Sequence, residues 1–257
     1  MGRVESSKNF ASIHNDYTFF QEHSTEAEQD LRSHLRYLLP LVKSGKKIRL
    51  LDFGCGDGLF SVRLLSRAGF DPHRLILSLV EPDSGYLRQA ISRTQAFSIA
   101  SASAWPSLPP EQQNSFDLVL ANHVFYYVND LEVTLRQILK ALSVGGLFLM
   151  SMGGRENVLC QIVDRSFASI RKPMPYQLSE NLERTLADMG QEFQKHRVNY
   201  EVIFPDLEEN RLGMLRFMLG EHFSRMDQGE ILKLFDPYAA AGHILIQTYH
   251  YQFVIRS

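Results

Sequence analysis

Cysteine is nearly missing from this chain, with two thiols in 257 residues, Cys55 and Cys160. Two thiols cannot build a disulfide framework, and no Cys/His spacing resembles a zinc site. The expectation is a reducing, cytoplasmic setting and a protein that holds no metal. Long apolar runs are missing too. No window approaches the roughly 18 apolar residues of a membrane span, and Met1 to Asp30 are polar and charged, without the apolar stretch of a secretory signal. Charge of one sign is absent: 27 Lys and Arg stand against 29 Asp and Glu, a net charge of −2. A balance of this kind leaves no electrostatic footprint for a polyanion. The run KSGKKIR from Lys43 to Arg49 reads as a solvated connection before a buried strand. Neither nucleic acid nor a membrane is expected as a partner, and a monomer or weak dimer is. There is no internal repeat and no low-complexity block.

What is present is a 44% hydrophobic composition, enough for one large domain or a core with a smaller lid. Leu31, Leu35, Leu38 and Leu39 fall on one face of a helix predicted from Ser24 to Leu41, capped by Ser24 or Thr25. From Ile48 the pattern changes to short apolar runs (IRLLDF, LILSLVE, FDLVLAN, GGLFLMSM) separated by helical segments. That alternation signifies buried parallel strands joined by right-handed crossovers, an α/β doubly wound sheet. After Met152 the alternation breaks. Helices are expected around Asn157 to Ser169, Ser179 to Met189, Glu208 to Glu221 and Gln228 to Phe235, with HRVNYEVIF and HILIQTYHYQFVIRS as further strands. The expected division is an N-terminal helical cap at 1–45, a ligand-binding core at 46–152 and a substrate-selecting region at 153–257.

The stretch LLDFGCGDG, Leu50 to Gly58, closes the first strand. Gly54, Gly56 and Gly58 let the backbone turn sharply and approach a ligand. A dinucleotide fingerprint needs a small third residue where Leu59 stands, and the lysine of a phosphate-binding loop is missing. Asp52 and Asp57 would repel a pyrophosphate but suit a ligand bearing an ammonium and a sulfonium. Glu81, at the end of the next strand in LSLVEPD, offers a carboxylate able to grip a vicinal diol.

With these residues the chain resembles the class I S-adenosylmethionine-dependent methyltransferases. The order of glycine loop, ribose acid, FDLV strand and Gly145-Gly146 turn is similar to that family's. The resemblance implies a mostly parallel, seven-stranded Rossmann-like sheet with an N-terminal helical segment and a C-terminal helical lid. It implies S-adenosylmethionine as cofactor, held by Asp52, Gly54, Gly56, Gly58 and Glu81, with Asn122 near the sulfonium and Ser101 or Ser103 beside the adenine. A loop serine is also a common turn former.

The loop ANHVFYYV lacks the Asn/Asp-Pro-Pro-aromatic signature of the base-modifying members, which favours a small-molecule acceptor. The segment HSTE and the loop FYYVND are similar to the histamine N-methyltransferases, and that resemblance makes Glu26 the anchor of an acceptor amine. It gives Tyr17, Phe20, Tyr126 and Tyr127 as pocket aromatics, and offers Gln247, Thr248 or His250 as the contact from the final strand. A glutamine expected after the fourth strand is replaced by His123. On physical grounds Glu26 is equally a first-turn helix acid, and one of the two tyrosines would pack in the core. His123 could serve as a general base. Three readings follow: N-methylation of an amine or imidazole-type acceptor, O-methylation of a phenol or carboxylic acid with His123 as base, and a cofactor-binding module without catalysis.

Overall fold

The apolar runs fold as the buried strands their composition predicts. In the computed structural model, which describes residues 13–95 and 103–257, five parallel strands lie together: β1 (Ile48–Phe53), β2 (Leu75–Val80), β3 (Ser103–Trp105), β4 (Phe116–Asn122) and β5 (Leu142–Met152). β6 (Gln194–Pro205) and β8 (His243–Arg256) join antiparallel, so that the path runs β3-β2-β1-β4-β5-β8-β6. A two-residue β7 (Ala239–Ala240) pairs with β8 outside that path. The expected seven-stranded, mostly parallel sheet is present. Its order reverses between β1 and β4, which opens a crevice beyond their carboxyl ends.

Successive residues of a strand face opposite sides, and the core divides accordingly. Leu50, Leu77 and Leu118 pack with Leu31, Leu38 and Leu64 on one side. Leu51, Val119 and Phe148 pack with Leu135 and Ile138 on the other. Fully burying each such leucine stabilises the fold by about 1.5–3 kcal/mol. A third cluster joins Phe20, Phe204, Met214 and Ile246 beyond the crevice. The helices there are α1 (His14–His23), α6 (Val158–Ser169), α8 (Glu208–Leu219) and the short α9 (Gln228–Ile231), while α2 (Glu26–Lys43) and α7 (Ser179–Asp188) pack with the two sheet-face clusters and α3 (Leu59–Ala68), α4 (Ser84–Thr94) and α5 (Leu131–Ala141) are the crossovers.

The helix expected from Ser24 to Leu41 is present as α2, with Thr25 as its N-cap, and α1 ends just before it at His23. The edge of β6 meets the junction between the two. Ser24 bridges Val202, the Thr25 amide donates to the Glu201 carbonyl at 2.9 Å, and the Glu201 amide donates to Thr25 Oγ1 at 2.9 Å. Ser24 Oγ then accepts from the Glu26 amide at 3.1 Å. No helix of the described residues is long and apolar enough to cross a membrane.

Candidate active site

The crevice is a cavity of about 640 Å³, within the roughly 300–1,000 Å³ usual for ligand sites. Its first end is the turn after β1. Gly54, Gly56 and Gly58 all have positive φ, the left-handed region that glycine enters without cost. A Cβ on Gly54 would run into the Val124 side chain, and one on Gly58 would sit 2.9 Å from Ala90 Cα. The Gly54 and Cys55 amides donate to the Val80 carbonyl, and the Gly56 amide donates to Glu81 Oε2 at 3.1 Å. Glu81 Oε1 accepts from the Asp83 amide at 2.9 Å. A carboxylate has about four acceptor positions, so two remain for a diol. Burial raises the Glu81 carboxyl, with its two amide donors opposing.

Asp52, 4% exposed, accepts from the Ser61 hydroxyl. Its burial, aided by the charge of Glu81 and opposed by Ser61, raises its carboxyl to about 7. Asp57 is differently occupied: it accepts from the Leu59 amide at 3.0 Å and pairs with Arg93 at 3.1 Å. Asn122 donates to Asp30 Oδ2 at 3.2 Å, while its buried Oδ1 has no hydrogen-bond partner among the described residues. An unpaired buried acceptor beside carboxylates fits a ligand with N–H donors and positive charge. The chemistry of this end therefore suits S-adenosylmethionine.

The other end is centred on Asp30, which is fully buried. Its carboxylate accepts from Ser151 Oγ at 3.1 Å, meets His123 Nε2 at 3.0 Å, and lies 2.7 Å from His250 Nε2. Burial alone would raise Asp30, but the neighbouring His250 and His123 hold it well below the usual carboxylate range. His123 follows β4 in a left-handed conformation, φ 54°, uncommon outside glycine and typical of residues held for a purpose. Burial disfavours its cation, yet Glu26 at 3.8 Å and Asp30 raise the imidazole to about 9. Tyr126 contacts His123 Nδ1 at 3.4 Å and accepts from the Gly153 amide. Neither cysteine is poised as a nucleophile: burial pushes Cys160 up to about 12 and Cys55 higher still.

Most residues singled out from the sequence converge here. Glu26, Tyr17, Phe20, Tyr126, Tyr127, Asn122 and His123 line the cavity together with Asp52, Gly54, Gly56 and Glu81. Four stand elsewhere. Gly58 lies behind the loop as the residue before α3, packed on Ala90. Thr248 is turned away, accepting at 2.9 Å from the Val158 amide that begins α6. Ser103 is an exposed residue at the start of β3 and does not line the cavity, and Ser101 falls outside the described residues. His250 sits behind the wall, fully buried against Asp30. Both candidate tyrosines line the cavity, and Tyr126 also packs against the core cluster that holds Phe125 and Leu135, as expected of one of the pair. Asp30, Asn157, Tyr176, Tyr200 and Phe217 line it unanticipated. Asp30 was findable, since an acid one turn after Glu26 shares its helix face next to the buried Leu31.

A model of the methyltransferase domain matches residues 22–236. Malonyl-[acyl-carrier protein] O-methyltransferase of Legionella pneumophila is 25% identical over 162 residues, 58% of this chain and 50% of that protein. Trans-aconitate 2-methyltransferase of Rhodopseudomonas palustris is 27% identical over 169 residues, 65% of this chain and 59% of that protein. The chain thus spans little more than half the length of these curated relatives. Among solved structures, the YcgJ protein from Bacillus subtilis superposes with a TM-score of 0.54 at 14% identity, covering 86% of this chain and 99% of that one. A geranyl diphosphate methyltransferase in complex with S-adenosylmethionine gives 0.52 at 16% identity, covering 88% and 85%. At such identities the structures speak to the fold alone. The domain match runs through the glycine loop and the helices around the cavity and takes in most of the chain: the protein belongs to the methyltransferase domain family.

Proposed function

We propose that the enzyme methylates a nitrogen of a small molecule that also carries a cationic amine. One observation carries this reading. Seven carboxylates line the cavity, and His123 is the only basic side chain among the described residues that do so. Asp52, Asp57, Glu81 and Asp83 belong to the cofactor turns, which leaves Glu26, Asp30 and Glu221 around the acceptor. Tyr126, Tyr127, Tyr176 and Phe217 supply aromatic faces, and such faces attract ammonium groups. The two relatives are named for methylation of malonyl and aconitate groups. A carboxylate in this cavity would meet carboxylates and no guanidinium, an arrangement that repels it. The similarity of HSTE and FYYVND to the histamine N-methyltransferases supports the amine reading.

S-adenosylmethionine, when bound, supplies an electrophilic methyl on a sulfonium. The chain's own part is orientation and exclusion of water. Glu26 holds the cationic end of the acceptor, and the tyrosine walls present its neutral nitrogen. His123, raised to about 9, keeps its proton at neutral pH and so neutralises Asp30 instead of drawing a proton from a hydroxyl. In this assignment residues 1–45 and 153–257 select the acceptor while 46–152 hold the cofactor.

The test is incubation with labelled S-adenosylmethionine and a panel of amines, phenols and carboxylic acids. Label should enter amines. Label confined to phenols or carboxylic acids would overturn the reading. Glu26→Gln should raise the KM for the amine roughly 10–150-fold, the scale for losing a charged hydrogen bond. Binding of S-adenosylhomocysteine should be unaltered.

A further inference from the structure

We infer that Glu26, His123 and His250 form a binding site for one divalent first-row transition-metal ion. One donor atom from each of the three lies within 4.8 Å of the others. A Glu26 oxygen is 3.8 Å from His123 Nε2, and its second oxygen is 3.9 Å from His250 Nδ1. Ligands around a tetrahedral ion at about 2.0–2.1 Å stand about 3.3 Å apart. Those two separations are about half an ångström wider than that, and every donor pair has to close from no more than 4.8 Å.

An independent observation points to a missing occupant. The His250 ring is fully buried, yet neither of its nitrogens has a hydrogen-bond partner of normal geometry among the described residues. Its Nδ1 is directed to the side where Glu26 lies, and its Nε2 sits close to Asp30 Oδ1 but out of line for a hydrogen bond. A wholly buried imidazole in that state is costly unless something accepts its lone pair. Asp30 completes the arrangement. Its Oδ1 meets His250 at Nε2, the nitrogen opposite the Nδ1 that faces Glu26, as the carboxylates that orient metal-binding histidines do, while its Oδ2, 3.0 Å from the same His123 Nε2 that faces Glu26, is within reach as a fourth ligand. Two imidazoles and one or two carboxylates suit zinc, iron, cobalt or nickel better than calcium or magnesium. The expectation of a metal-free protein rested on local Cys/His spacing, which cannot see ligands brought together from α2, the loop after β4, and β8.

Because Glu26 is shared, the ion and the cationic group of the acceptor exclude one another; this consequence rests on the amine reading, while the site itself does not. The experiment uses the full chain treated with chelator, then titrated with zinc in a calorimeter, with and without S-adenosylhomocysteine. One equivalent should bind. Affinity should fall roughly 10–100-fold in Asp30→Asn and at least as far in Glu26→Gln, an isosteric change in the cavity wall. Cobalt in place of zinc should give visible absorption bands of a low-coordinate site, lost in Glu26→Gln. Absence of stoichiometric zinc uptake, or uptake unaltered in both variants, would overturn the proposal. S-adenosylhomocysteine binding in the same samples separates that outcome from failure of the methyltransferase reading.

Discussion

The two ends of the cavity are built by opposite means. At the cofactor end, everything from Asp52 to Asp83 comes from two adjacent parallel strands and the turns that follow them, stitched by backbone amides onto Val80 and Glu81. At the acceptor end, α2 gives Glu26 and Asp30, the loop after β4 gives His123, β6 gives Tyr200 and β8 gives His250. Backbone conformation shapes the first end. Buried charge holds the second, and its parts meet only when distant segments are in register. A mutation at the first should act through local geometry, whereas one at the second should spread through every element that touches Asp30.

The largest effect should come from Asp30→Ala. Removing one partner from a buried ion pair typically costs about 3–5 kcal/mol, because His123 and His250 lose the carboxylate between them. Denaturant unfolding measures the loss. The folded fraction should still bind S-adenosylhomocysteine, and an equal fall in cofactor affinity would show that the two ends are not separate. Gly54→Ala comes next. A left-handed alanine costs roughly 1–2 kcal/mol, and the crowding against Val124 adds about 1–3 kcal/mol. Here cofactor affinity and stability should fall together. Glu81→Ala should weaken cofactor binding by about 1–3 kcal/mol in calorimetry, with little change in the acceptor's KM.

The smallest effect, and the sharpest separation, lies in pH. Asp52 in the folded chain is raised from 3.8 to about 7, so the folded state holds a proton that the unfolded state has released. Stability of the unliganded protein therefore falls as pH rises from about 4 to 7 on its account. His123 is raised from 6.5 to about 9; its contribution is complete below 6.5 and is lost as pH climbs to 9. Difference curves for Asp52→Asn and His123→Asn should thus remove slope in two successive windows. Removal of slope in the same window by both would break the distinction. A cationic cofactor favours ionised Asp52, so its binding below pH 7 should release a proton, read from the dependence of calorimetric heat on buffer.

The same contrast explains what could be seen in the sequence. The parallel sheet, the glycine loop and Glu81 were legible because each is a local pattern: apolar runs of strand length, glycines where the backbone must turn left-handed, an acid at a strand end. Glu26 and His123 were reached through resemblance and through residue chemistry. Asp30 could be placed on the helix face of Glu26 but its role could not be read, because that role depends on Ser151 and His250, each more than a hundred residues away. Thr248 was misassigned for a related reason. Alternation along β8 places it on the same strand face as His250, but only the position of α6 decides that its hydroxyl serves the Val158 amide. The start of α2 at Ser24 and Thr25 was legible from its capping residues, whereas the pairing of that junction with the edge of β6 was not.

That junction has a consequence for handling the protein. β6 is the last strand of the sheet path, and an outer strand with free amides and carbonyls is a template for adding another chain. By engaging the amide and carbonyl of Glu201, Thr25 plugs part of that rim with the segment that also sets the placement of Glu26. Solubility and recognition are thereby tied to one threonine, and a replacement there would be noticed first as clumping in the tube, before any loss of turnover.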